Sequence, residues 1–260
     1  MHYLYLALIL FIYMNLWFVF SVVKRRNDYA DVAWGLGFVL MVWSSYLFGL
    51  KGAEDFYIQG LIACLLVTLW GLRLSLHIFK RNKNKQEDYR YKAWRDSWGS
   101  LFYPRSYLQI YMLQGAFLYL ISLSFIYINL NPLNNGLLIT DFLGLAIWII
   151  GFYFESTSDA QLSKFIANPE NKGRVMKSGL WRYSRHPNYF GEVTMWWGLY
   201  ALSLSTGFWP IILVSPLTIS FLILFVSGVP LLEKKYQGNP EFEEYKRVTS
   251  VFFPRPPKKM

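Results

Sequence analysis

The stretch Tyr3-Leu-Tyr-Leu-Ala-Leu-Ile-Leu-Phe-Ile-Tyr-Met-Asn-Leu-Trp-Phe-Val-Phe-Ser-Val-Val23, followed at once by Lys24-Arg25-Arg26, decides the fold class. It has no charge over a length that spans hydrocarbon about 30 Å thick as a helix rising ~1.5 Å per residue. A cleaved signal peptide has an apolar region of only ~7–15 residues and a small-residue cleavage site after it. Three cations stand there instead, as at the cytoplasmic end of a membrane span.

Working outward, similar apolar runs recur at about Ala30–Leu50, Phe56–Phe79, Tyr107–Leu130, Thr140–Phe154, Tyr189–Thr206 and Phe208–Leu232. The chain is therefore predicted to be an all-α integral membrane protein of about seven spans. Composition agrees: of 260 residues 54% are hydrophobic and 16% charged, whereas soluble domains carry about 25% charged residues. The 21 Phe, 19 Tyr and 11 Trp exclude a disordered chain, and the single Cys64 excludes an intrachain disulfide framework. With no internal repeat or low-complexity tract, residues 1–260 are expected to form one multi-pass domain.

The 26 Lys and Arg fix the expected orientation. Seven spans put those of the first connection, of loops 80–106 and 156–188 and of the tail 233–260 on one side. Only Lys51 is left opposite. Basic loops lie on the cytoplasmic side, so the N-terminus is expected outside and the C-terminus in the cytoplasm. The formal charge of +10 follows from this topology. Nucleic acid is not an expected partner, because the cations flank spans and no nucleic-acid module accompanies them. The bilayer is one expected partner and a hydrophobic small molecule the other. No obligatory protein partner is evident.

Charged residues inside apolar spans cost ~2.5–3.5 kcal/mol on insertion scales and mark functional sites by default. Asp31 opens the second span, Arg73 lies inside the third, Glu155 and Asp159 close the fifth at i, i+4 spacing, and Glu192 opens the sixth. All fall near the predicted cytoplasmic face. The loop before the sixth span is the densest in chemistry: Asn171-Lys-Gly-Arg-Val-Met-Lys-Ser-Gly-Leu-Trp-Arg-Tyr-Ser-Arg-His-Pro-Asn-Tyr-Phe-Gly-Glu192. Its Arg and Lys suit phosphates, and Asn188 and the Tyr hydroxyls suit ribose or amide groups. The segment reads as a seat for an anionic, nucleotide-like ligand, although a basic loop beside the membrane also suits lipid headgroups. His2, His77 and His186 are too scattered for a metal site, and no Gly-x-Gly-x-x-Gly follows a strand.

The run Gly179-Leu-Trp-Arg-Tyr-Ser-Arg-His-Pro-Asn-Tyr-Phe-Gly-Glu192 resembles the signature of the bacterial DUF1295 proteins of the steroid 5-alpha-reductase C-terminal family. Asp31-Val-Ala-Trp-Gly35, Trp70-Gly-Leu-Arg-Leu74, Glu87-Asp-Tyr-Arg-Tyr91 and Glu241-Phe-Glu-Glu-Tyr-Lys-Arg247 are similar to the same family. The resemblance implies a helical membrane protein, multi-pass and in a bacterial cytoplasmic membrane. It also implies NADPH in a cytoplasm-facing cavity and reduction of an activated carbon–carbon double bond in a steroid-like or other enone lipid. Carried over by motif, Arg73, Asp159, Tyr183, Asn188 and Glu192 would contact the cofactor, with Arg185, His186 and Tyr189 from the Arg-His-Pro-x-Tyr motif and Tyr236 and Tyr245 from the tail. Arg174 joins them on its charge alone.

The Arg-His-Pro-x-Tyr-x-Gly pattern also resembles that of isoprenylcysteine carboxyl methyltransferase, which implies the alternative of an S-adenosylmethionine-dependent methyltransferase of a lipid or prenylated substrate. Its cofactor would be held by the same loop with Glu233 and Glu244. Steroid-reducing members polarise the substrate carbonyl with a Gln-Glu pair near the second span and a Tyr on the third. Here Asp31 and Trp70 stand in those places. Asp31 with Tyr91 is the expected catalytic pair, with Glu87 as a further proton donor.

Overall fold

A computed structural model of the chain describes residues 1–51, 57–83, 85–132, 136–207 and 210–258. Phe56 and Phe208, the expected first residues of two spans, lie outside the described residues, as do loop positions 52–55 and 133–135 and the tail's Lys259. Every regular element among the described residues is helical. The helices gather in two compact units, one of Met1–Leu138 with Ser205–Ser215, the other of Ile139–Leu204 with Pro216–Met260.

The first unit holds α1 (His2–Lys24), α2 (Tyr29–Leu50) and α3 (Ile58–Asn82). A continuous run follows, of α4 (Tyr89–Trp98), a short α5 (Phe102–Arg105), a π-helical stretch Ser106–Met112 and α6 (Leu113–Leu130). Arg25 closes α1 at φ 54°, in the left-handed region, and the chain doubles back into α2. Helices α2 and α3 approach closely at two glycines: a Cβ on Gly35 would lie 2.6 Å from the Gly71 carbonyl oxygen, and one on Gly71 equally close to that of Gly35. Without a hydrophobic driving force between helices in lipid, such small residues let the backbones meet. Polar side chains join the helices: Ser75 donates to the Val32 carbonyl at 2.9 Å, and Asn129 of α6 to Val42 at 3.0 Å and to Ser45 at 2.8 Å. Phe38, Met41, Val42, Leu118, Ile121 and Phe125 fill the space between, fully buried.

The second unit holds α7 (Ile139–Ala167), α8 (Pro187–Ser203), most of α9 (Val214–Phe221), α10 (Val229–Lys235) and α11 (Pro240–Val248). Helices α7 and α8 meet at two glycine pairs spaced seven residues apart on each helix. A Cβ on Gly151 would lie 2.6 Å from the Gly191 oxygen, and one on Gly144 2.7 Å from the Gly198 oxygen.

Among the described residues, six stretches are long and apolar enough to cross a membrane: His2–Lys24, Tyr29–Leu50, Ile58–Asn82, Tyr89–Leu130, Ile139–Ala167 and Pro210–Lys235. The expected sixth span is not among the six: it forms the shorter α8, whose 17 residues stand at the lower limit for crossing hydrocarbon. A 3-10 turn, Leu204–Thr206, continues it. The fifth runs well past its expected end at Phe154: the apolar run stops before Glu155, but the backbone ladder continues to Ala167.

Candidate functional site

In the first unit, the basic ends of α1 and α3 meet the start of α2. Arg26 donates to both oxygens of Asp28, at 3.0 and 2.6 Å, and to the Lys85 carbonyl at 2.9 Å. Helix α4 starts here because Asp88 caps it, accepting from the Arg90 amide at 3.0 Å. Arg90 then bridges Asp88 at 3.0 Å and Asp31 at 2.8 Å. Burial works against the Asp88 charge, but the hydrogen bond and charge of Arg90 prevail and hold its carboxyl below the usual carboxylate range.

Tyr91 lies on the same helix, 3% exposed, and its hydroxyl donates to Asp31 Oδ1 at 2.6 Å. The expected pair is thus brought together across 60 positions of sequence. Burial and the Asp31 charge push the Tyr91 hydroxyl well above the usual phenol range, so it keeps its proton and aims it at Asp31. Glu87 accepts from the Asn27 amide at 2.6 Å and from Arg95 at 2.9 and 3.0 Å. Both its oxygens are engaged as acceptors, and its visible role is to tie the start of α4 to the α1–α2 turn. Arg73 sits partly buried on α3 between Gly71 and Ser75.

In the second unit, the loop before α8 is stitched to α7 on one side and to the tail on the other. Toward α7, the Leu180 amide donates to Gln161 at 2.9 Å and the Trp181 indole to the Ser158 carbonyl at 3.1 Å. Gly179 takes φ 62° directly against the Gln161 side chain, where a Cβ has no room. Toward the tail, Tyr245 donates to the carbonyls of Trp181 and Ser184, and Ser184 donates to Phe252 at 2.7 Å. Arg185 donates to Glu233 at 2.8 Å, to Thr249 at 2.8 Å and to Lys246 at 3.2 Å. Its backbone amide bonds the Ser250 carbonyl at 2.8 Å. Arg185 and Tyr245 therefore spend their polar atoms on joining loop to tail.

The end of this loop carries the group best suited to a ligand. His186, 3% exposed, lies at 3.2 Å from Glu233 through Nε2 and stacks on Tyr189 with ring centroids 5.6 Å apart. Asn188, in the first turn of α8, donates to Asp159 of α7 at 3.2 Å. Among the described residues, His186 Nδ1 and Asn188 Oδ1 are both buried without a hydrogen-bond partner, and buried polar atoms are rarely left so. Glu192 follows one turn later on α8 and is half-buried. Arg174, Arg182, Lys172 and Lys164 of the same unit are exposed, as is Tyr183. Tyr236 stacks on Phe242 at 4.9 Å, within a small cluster of Val175, Phe242 and Tyr245, and so faces the tail's own core.

Gln161, Ser158, Asn27 and Arg95 hold this framework together but carry no charge-in-membrane or motif signal. Their roles come from specific partners, most of them distant in sequence, which composition cannot reveal.

Compared with known proteins, residues 17–249 match the model of a family described as "Protein of unknown function (DUF1295)". The chain is 25% identical over 221 residues to an uncharacterized protein of Schizosaccharomyces pombe, covering 75% of this chain and 63% of that one. It is 29% identical over 111 residues to 3-oxo-5-alpha-steroid 4-dehydrogenase 1 of Bos taurus, covering 43% and 40%. The chain thus spans less than two thirds of the length of each of these two relatives. No solved structure matches it.

Proposed function

The chain belongs to the DUF1295 family, and from that premise we propose that it is a membrane reductase that uses NADPH to saturate a carbon–carbon double bond conjugated to a carbonyl in a hydrophobic substrate. The observation that carries this reading is the pair of buried, partnerless atoms at the start of α8, Asn188 Oδ1 and His186 Nδ1. Similarity to a protein whose name states a steroid dehydrogenase supports the redox class.

The residues fit a phosphorylated dinucleotide. Asn188 Oδ1 can accept from a carboxamide, while Asp159 holds the Asn188 amide in place from the other side and, with Glu192, can accept from ribose hydroxyls. Exposed Arg174, Arg182, Lys172 and Lys164 supply the several cations that three phosphate groups require. Arg185 and Tyr245 position His186 and the loop by anchoring them to the tail.

NADPH, when bound, supplies the hydride that adds to the β-carbon. Negative charge would then gather on the substrate carbonyl oxygen, and the α-carbon would take its proton from water as the carbonyl re-forms. A donor aimed at that oxygen lowers the barrier most. We assign that donation to Tyr91, whose hydroxyl must turn from Asp31 toward the substrate while Arg90 keeps the Asp31 charge compensated. The basic loops are assigned to the cytoplasm, where NADPH is available.

Thermal unfolding of the purified chain with NADPH or S-adenosylmethionine tests the cofactor: stabilisation by NADPH is expected, and stabilisation by S-adenosylmethionine alone would replace this reading with methyl transfer. NADPH oxidation with an enone lipid tests the reaction. Removal of a positioned proton donor costs ~10²–10⁴-fold in rate, so Tyr91→Phe and Asp31→Asn should each slow turnover by that order. An unchanged rate in either variant removes that residue from the chemistry.

A further inference from the structure

We propose that the first unit holds a separate seat for the phosphate-bearing headgroup of an anionic membrane lipid, in a cavity of about 330 Å³ where the start of α2 meets the basic end of α3. One half of its wall is polar. Asp28 is 2% exposed, and its carboxylate is taken up by Arg26 at 2.6 and 3.0 Å and by Asn82 at 3.3 Å. Its charge is therefore compensated within the wall, by Arg26 and Asn82 of the same lining. Arg26 is held rigid by that pairing and lies over the Tyr29 ring at 5.7 Å. Lys83 is exposed and makes no ion pair among the described residues. With Arg26 balanced by Asp28, the lining has a surplus of one positive charge, and exposed Lys80, Arg81 and Lys85 adjoin it in sequence.

The other half of the wall is Tyr29, Val32 and Phe79. Phe79 is 45% exposed and stands in the last turns of an apolar helix that is long enough to cross the membrane. A wall that is cationic on one side and continuous with a lipid-facing helix on the other suits an amphiphile, phosphate against Lys83 and the start of an acyl chain against Phe79. A free phosphate would leave the aromatic side without use. Cationic pockets between membrane helices hold acidic headgroups on this principle, each Lys or Arg adding about fivefold in affinity. None of these side chains belongs to the proposed cofactor site, so the inference stands independently of it.

The test is native mass spectrometry of the full chain in neutral detergent, titrated with phosphatidylglycerol or with phosphatidylcholine of the same acyl chains. Phosphatidylglycerol should be retained more tightly. Lys83→Gln should weaken it about fivefold and leave phosphatidylcholine unchanged, and Phe79→Ala should weaken both lipids. Both variants change exposed side chains. Equal retention of the two lipids, or phosphatidylglycerol binding unaltered by either variant, overturns the proposal. Displacement of phosphatidylglycerol by inorganic phosphate would also overturn it, by making the ligand a soluble anion.

Discussion

Replacing Gly191 by Ala should separate the two helices that carry the Asn188–Asp159 contact. A Cβ at this position would lie 2.5 Å from the Gly151 carbonyl oxygen and would press on the Glu155 backbone nitrogen as well, whereas ordinary contact begins near 3.4 Å. Both obstacles are main chain and cannot swing away, so α8 must retreat from α7 by roughly 0.9 Å, the difference between those distances. Asn188 lies in the same turn. Added to its 3.2 Å bond to Asp159, that retreat takes the pair to about 4.1 Å, beyond hydrogen-bond reach. Overpacking of this kind costs ~1–3 kcal/mol, or roughly 2–12 °C in melting temperature for a chain of this size. Loss of the oriented amide should weaken NADPH about tenfold. Differential scanning fluorimetry reads the first quantity and NADPH fluorescence titration the second. Gly198→Ala is the control: its Cβ meets the Gly144 oxygen at 2.8 Å and the Trp148 nitrogen at 2.7 Å, so it should destabilise similarly. Being ten positions, about 15 Å, from Asn188, it should leave NADPH affinity nearly unchanged. A Gly191→Ala protein that melts like the parent would refute the close approach of α7 and α8.

Further outcomes probe the same framework. Asn188→Asp would set a second carboxylate about 3.2 Å from Asp159, and like charges at that distance cannot both ionise comfortably; NADPH titration should show a larger loss than for Asn188→Ala. Arg185→Lys keeps a charge for Glu233 but gives up the bonds to Lys246 and Thr249, about 1–3 kcal/mol in all; limited trypsin digestion should then cut the tail after residue 240 while the apolar helices stay intact. The Lys177 hydrogen bond, aided by the Val175 amide, holds the Glu241 carboxyl below its ordinary 4.5. A depressed acid contributes stability that is complete above its unfolded value and lost as pH falls through the folded one. Hydrogen exchange at the Val175 amide should therefore stay slow in neutral buffer and lose protection below pH 4.5; Glu241→Gln should abolish that dependence.

Hydropathy made most helices legible, because the requirement for apolar length leaves little freedom. The second span, expected at Ala30–Leu50, forms as Tyr29–Leu50. Helix ends in water were harder: nothing in hydropathy says that α7 continues beyond Glu155. The motif glycines Gly35, Gly71 and Gly191 were visible as signatures, but their physical purpose emerged only as contact surfaces between helices. The seven-residue spacing of Gly144 with Gly151 and of Gly191 with Gly198 was present in the chain, yet spacing on one helix does not name the helix it faces. Most obscure were Arg185, Tyr245 and Glu233. Their charge and hydroxyl groups suggest ligand contacts, whereas their partners are protein groups 48, 61 and 64 positions away. Asp31 and Tyr91 could be paired in advance because enone reduction calls for a donor such as a Tyr held by a carboxylate, and the two side chains do meet.

The dependence of the loop on the tail also sets a timetable for synthesis. When α8 emerges from the ribosome, Lys246, Thr249 and Phe252, which fasten the preceding loop, have yet to be translated. Insertion of the apolar helices can proceed without them. The nascent chain can therefore insert its helices before the loop ahead of α8 gains these tail partners, so that premature termination after α10 would leave an inserted protein with that loop unfastened.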